Sequence, residues 1–229
     1  MTPGIRRLLC WIALGALCGA CVAGQDGSPR SSLPQPVVGR RVPLPPTEGR
    51  GLRGFADYHA HMFSEEAFGG FLFHGKAFVP KPEPDAMAEA LALCEHTRFP
   101  HLITRAIVEG SGDEPHGPDG YPRFNTWPRY TSHVHQQMYI DWVYRAYTYG
   151  LRLVTIVATN SEALCEFAHH QKSCPDMDSV DRQIDAIDKM QRHVAENEGG
   201  WLKVATSASE AEEIIRENRL AVVIGVEVD

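Results

Sequence analysis

The chain has 229 residues, 43% of them hydrophobic and 22% charged, the balance of an ordinary globular protein. Its 29 acidic residues outnumber 22 basic ones, for a formal net charge of -7. That excludes a nucleic-acid partner of the usual kind, because no basic stripe is present to neutralise phosphates.

In chain order the first element is "MTPGIRRLLCWIALGALCGACVAG". Arg6 and Arg7 precede an apolar stretch from Leu8 to Ala23, which ends in small residues, the three-part layout of a secretory signal peptide over residues 1–24. Spanning a bilayer takes about 20 apolar residues, so cleavage and export are expected, with no retained transmembrane helix. Cys21 behind Gly19-Ala20 offers a lipoprotein alternative. Residues 25–51 are rich in Pro, Ser, Gly and Arg and show no apolar period, which predicts a tether or extended arm. The folded domain is expected over 52–229.

Four strands are predicted, at 54–61, 151–159, 201–205 and 220–228, the second and last as near-continuous apolar runs. Helical spacing recurs from Pro84-Asp85 onward, from an N-cap at Ser132 to Gly150, after an N-cap at Asn160, from Asp178 to Gly199-Gly200, and from Ser207, whose spacing to Glu210 is that of a capping box. The stretch 97–131 reads as one long loop, full of Gly, Pro and Asp. Strands alternating with helices predict an α/β fold with a parallel sheet. Six cysteines are present; Cys10, Cys18 and Cys21 fall in the leader, and Cys165 with Cys174 can bridge in an oxidising compartment, leaving Cys94 over.

The chemistry concentrates in "GFADYHAHMF" and "VVIGVEVD". Asp57, His59 and His61 alternate at the end of the first strand, and alternation is the period that puts side chains on one face. Glu227 closes the last strand behind residues apolar enough to bury it. In parallel sheets the functional residues gather at the carboxyl ends of strands. His59, His61 and Glu227 are therefore expected to converge from neighbouring strands as ligands of one or two divalent ions. Asp57 is expected to accept an imidazole N–H behind them, and His74, on the following loop, to be within reach of substrate. His133, His135, His169 and His170 read as capping or surface residues.

"ADYHAH" followed by "AVVIGVEVD" resembles the membrane dipeptidase (renal dipeptidase-like) branch of the amidohydrolase superfamily. The resemblance implies a TIM-type (β/α)8 barrel with a binuclear, usually zinc, centre that cuts amide or peptide-like bonds. His59 matches the first-strand His and Glu227 the bridging Glu, while His61 stands where that family has an Asp and gives the His-x-His of amidohydrolases at large. The family's remaining ligands would lie on further strands, so residues 52–229 are expected to be the front portion of an exported hydrolase with long inserts, acting on a small-molecule or peptide substrate and inactive as this piece. Two alternatives stand beside it: a phosphoesterase of the polymerase-and-histidinol-phosphatase type, which also opens on His-x-His, and a degenerate metal-binding remnant without turnover.

Overall fold

A computed structural model describes residues 41–46, 51–70, 72–91, 135–167 and 170–228, all within one compact unit spanning Pro36–Asp229. The expected leader, Cys21, Cys94, the N-cap at Ser132, His133, the whole loop at 97–131, His169 and Asp229 lie outside the described residues.

Four strands form one all-parallel sheet: β1 (Phe55–Ala60), β2 (Leu151–Asn160), β3 (Leu202–Val204) and β4 (Leu220–Val228). The helices are α1 (Asp85–Ala90), α2 (Ile140–Thr148), α3 (Glu162–Phe167), α4 (Asp176–Asn197) and α5 (Ala208–Arg216). The α/β class and parallel pairing follow from the apolar runs, and each predicted strand is present within two residues of its expected ends.

Strand order is β1-β2-β4-β3, so the short β3 sits at the edge instead of between β2 and β4. A right-handed crossover from β2 outward to β3 places α4 on one face, and the return from β3 to β4 then places α5 on the other. The packing agrees. Ile187, Met190 and Val194 of α4 join Val154, Ile156, Leu220 and Val222 in the main core, with Tyr139, Tyr147 and Trp201 fully buried beside them. Ala211 and Ile214 of α5 meet Ala221 and Leu153, the alternate positions of the same strands. β3 covers only the first third of β4, pairing Leu202 to Leu220 and Val204 to Val222, and the last three residues of β4 are exposed.

Two local readings are corrected. The helix expected from Ser132 is described as starting only at Ile140, because His135 to Tyr139 is committed to tertiary bonds. The Gln136 N–H donates to the His74 carbonyl (2.8 Å), the Ile140 N–H to the Ala77 carbonyl (2.9 Å), and the Gln136 side chain accepts from the Met138 N–H. Those bonds outweigh a local helical preference. His135 is accordingly buried and not a surface cap. Asn160 does not cap α3 either; Ser161 Oγ accepts the Leu164 N–H (3.3 Å), while buried Asn160 donates to Cys174 O and Asp176 and accepts from the Phe68 N–H.

Part of the expected tether is a docked arm. The Leu44 N–H donates to Tyr147 Oη (2.7 Å), Asn218 donates to the Pro45 carbonyl, and the Arg41 guanidinium enters a pocket of three carboxylates, Glu83, Asp141 and Glu198. The folded region therefore begins before Leu52. Among the described residues no helix is long and apolar enough to cross a membrane.

Candidate metal centre

β1 is irregular where it matters. Asp57 pairs with Val154 and Ala60 with Ile156, so three steps along β1 match two along β2, a bulge between Asp57 and Ala60. The extra residue breaks the strict alternation that the sequence suggested. Ala60 shares the α4 face with Ile156, which leaves His59 and His61 on the opposite face. Asp57 instead lines a small cavity with Trp142, Val143 and Val154. Its carboxylate accepts the backbone N–H of His59 (3.1 Å), not an imidazole N–H. Asp57 thus holds the bulge that aims His59, which replaces the role expected of it.

Glu227 lies opposite Thr159 of β2, at a position alternating with Ala221, Val223 and Gly225. It therefore projects from the face that α5 covers lower down. Contrary to the expectation of neighbouring strands, β1 and β4 are separated by β2. Two strand spacings amount to about 10 Å, and two long side chains close that gap. His59 Nε2 is 3.0 Å from His61 Nε2 and 3.1 Å from Glu227 Oε2, and His61 Nε2 is 3.6 Å from the same oxygen. The rings of the two histidines meet edge to face.

These separations fit a metal. Ligand atoms about 2.0–2.1 Å from a tetrahedral ion are about 3.3 Å from one another, within a few tenths of an ångström of all three distances. The second nitrogen of His61, Nδ1, is 3.1 Å from the Val157 carbonyl. An N–H donated there fixes the tautomer and leaves Nε2 as the ligand nitrogen. The centre is open: the side chains of His59, His61 and Glu227 are 61%, 35% and 57% exposed. Glu227 was expected to be buried by its apolar approach, but β3 stops too early to cover it.

Loops at the carboxyl end of the sheet form the surroundings. Ser64 Oγ and the Ser64 N–H both donate to the His61 carbonyl. Gln136 donates to the Met62 carbonyl (2.6 Å) and to Glu65 (2.7 Å). Burial pushes the Glu65 carboxyl up to about 7, although the Ala77 N–H and Gln136 donate to it. His74 is buried, so it is closed to a substrate arriving from solvent. Glu65 and Gln136 were not anticipated from the sequence; the acidic pair Glu65-Glu66, four and five residues after His61, was the available signal.

A second set of donors lies beside these loops. Cys165 and Cys174 form the anticipated disulfide, with Cα atoms 5.5 Å apart, and a nitrogen of exposed His170 lies within 4.8 Å of both sulfurs. Among the described residues these two clusters are the places where three metal-type donors converge. Comparison with protein-family models, with curated proteins and with solved structures returned no match.

Proposed function

We propose that the chain carries the metal-binding rim of an exported hydrolase that cleaves an amide or peptide-like bond, of the membrane-dipeptidase type, with its sheet as the front portion of a (β/α)8 barrel. The observation that carries this reading is the meeting of His59, His61 and Glu227 at the carboxyl ends of parallel strands, at spacings suited to one divalent ion. Three protein donors with a remaining open position is the pattern of a catalytic, as opposed to structural, zinc site. The Cys165–Cys174 bridge supports export, since such bonds persist in oxidising compartments.

When bound, zinc would supply a Lewis acid for the carbonyl oxygen and lower the pKa of a coordinated water to about 7. The chain's own residues do the positioning. Val157 O holds the His61 ring, and Asp57 holds the His59 backbone in its bulge. Glu227 contributes the negative charge that offsets part of the cation's. Exposure of all three leaves the outward side open to substrate. The barrel frame would use β1, β2 and β4 in order, with β3 as an added edge strand; the part of β4 beyond Val222 is the edge that a further strand would take.

The test is zinc binding by calorimetry followed by hydrolysis of a dipeptide panel and a phosphomonoester panel. Zinc binding that weakens about 100-fold in His59→Ala, on the order of losing a metal ligand, with little dipeptide turnover by this piece alone, is the expected result. Cleavage of phosphomonoesters alone, or turnover indifferent to His59→Ala, would overturn the reading in favour of the phosphoesterase or of a centre elsewhere.

A further inference from the structure

We propose that Cys165, His170 and Cys174 form a redox-gated metal site: a disulfide when oxidised, and a Cys2His site for a zinc-class ion when reduced. Its ligands are distinct from those of the rim centre, and it does not depend on the function assigned to that centre. One nitrogen of His170 and the two sulfurs already lie within 4.8 Å of one another. Sulfurs sharing one zinc at about 2.3 Å each stand about 3.8 Å apart. With the Cα atoms 5.5 Å apart, side-chain rotation reaches that spacing while the backbone stays in place.

His170 is prepared for the role. Its Nδ1 is 3.2 Å from the Lys172 carbonyl, and an N–H donated there leaves the Nε2 lone pair for a metal. His170 is exposed while both cysteines are buried, so an ion would enter from the histidine side and meet the sulfurs behind it.

The chemistry balances. A thiol- or phosphine-class reductant supplies two electrons, and with two protons the S–S bond becomes two thiols. Binding of the divalent ion releases both protons as the thiolates ligate, with water as the fourth ligand. A disulfide- or peroxide-class oxidant takes two electrons from the thiolate pair, which re-forms the S–S bond and releases the ion.

This site touches the loop that follows His61. Gly69, at φ +71°, lies so close that a Cβ there would stand 2.4 Å from His170 Cβ and 2.8 Å from Cys165 Sγ. The N–H groups of Gln171 and Lys172 both donate to the Gly69 carbonyl, at 2.9 and 3.0 Å. A change from disulfide to metal is therefore felt directly by residues 68–70.

The experiment uses the full chain, reduced with a phosphine under inert gas, with cobalt(II) as the probe. A thiolate-to-cobalt charge-transfer band at one equivalent is expected. It should be absent from the oxidised chain and from the Cys165→Ser/Cys174→Ser variant, and present in Cys94→Ser and His59→Ala. His170→Ala should weaken cobalt binding about tenfold or more. A second measurement does not depend on how the serine variant folds: zinc should protect Cys165 and Cys174 of the reduced wild-type chain from alkylation, mapped by peptide mass. Equal alkylation with and without zinc, or a band that survives in the double serine variant, would overturn the proposal.

Discussion

Among the described residues, two clusters in which a carboxylate meets nitrogen groups, the rim centre and the Arg41 pocket, are built in opposite ways. At the rim, His59 and Glu227 are exposed and His61 half-buried, and the three touch chiefly one another. In the other cluster, Arg41 is 10% exposed and Glu198 6%. Arg41 donates to Glu198 through Nε (2.9 Å) and Nη2 (2.5 Å), pairs with Asp141, and has Glu83 at 3.6 Å. Trp201 Nε1 donates to Glu198 (2.7 Å) and the Tyr139 hydroxyl to Glu83. Burial alone would pull the Arg41 guanidinium down, but its bond to Glu198 and the nearby charge of Asp141 outweigh that and hold it above its ordinary value. One cluster has closed around its cation. The other presents three donors to solvent, the arrangement of a site that takes its cation from outside.

That contrast is broken most easily at Arg41. Arg41→Met would leave Glu83, Asp141 and Glu198 facing each other without compensation. Removing one partner from a buried ion pair costs about 3–5 kcal/mol. The expected result in urea unfolding is a loss of unfolding free energy of that size, seen as a lower midpoint, with residues 41–46 becoming protease-sensitive as the arm loses its anchor. A midpoint within error of wild type would show that the cluster is no more structural than the rim.

Glu65 lies between the two extremes and gives a pH signature. Its carboxyl is raised by burial from 4.5 to about 7 in the folded chain, so folding favours the protonated form. The stability it contributes is complete below about pH 4.5 and is lost as pH rises towards 7. Glu65→Gln cannot titrate, although its amide keeps only one acceptor for the two donors, the Ala77 N–H and Gln136. The quantity to compare is therefore the slope of unfolding free energy between pH 4.5 and 7, not its absolute value. The variant should lack the wild-type decline over that window; identical slopes would place the titration elsewhere.

Much of this was legible in the residues, for identifiable reasons. "LRLVTIVAT" and "LAVVIGVEV" announce strands because sheets flanked by helices need continuous apolar runs. The rim donors were legible because a strand's direction decides which end carries its last residues, so His61 and Glu227 had to share an edge. What failed was anything set by contacts distant in sequence. The bulge that turns Asp57 away is a register mismatch with β2, and a single strand's pattern does not contain its partner. The arm at 41–46 has no period because its anchors are one Arg and a few main-chain groups. Strand order followed from crossover handedness only once β3 was known to lie at the edge.

The smallest expected effect on stability belongs to the rim, and it carries the sharpest test of the contrast. His59→Ala removes a ring that is 61% exposed, whose Nε2 meets only His61 and Glu227 among the contacts described. Exposed substitutions of this kind stay within about 0.5 kcal/mol of wild type. Exposed pairs such as His59 with Glu227 contribute at most about 1 kcal/mol. In metal-free buffer the variant should therefore unfold at the wild-type midpoint. Zinc reverses the comparison, because a ligand that binds only the folded state stabilises it by about 2.7 kcal/mol at 100 times its Kd. Wild type should shift upward in zinc by an amount of that order, and His59→Ala should shift little. The chain is kept oxidised so that Cys165 and Cys174 offer no thiolates. A variant that loses stability without zinc would make His59 a structural residue like Arg41. Equal zinc shifts in both proteins would remove the metal from the rim altogether.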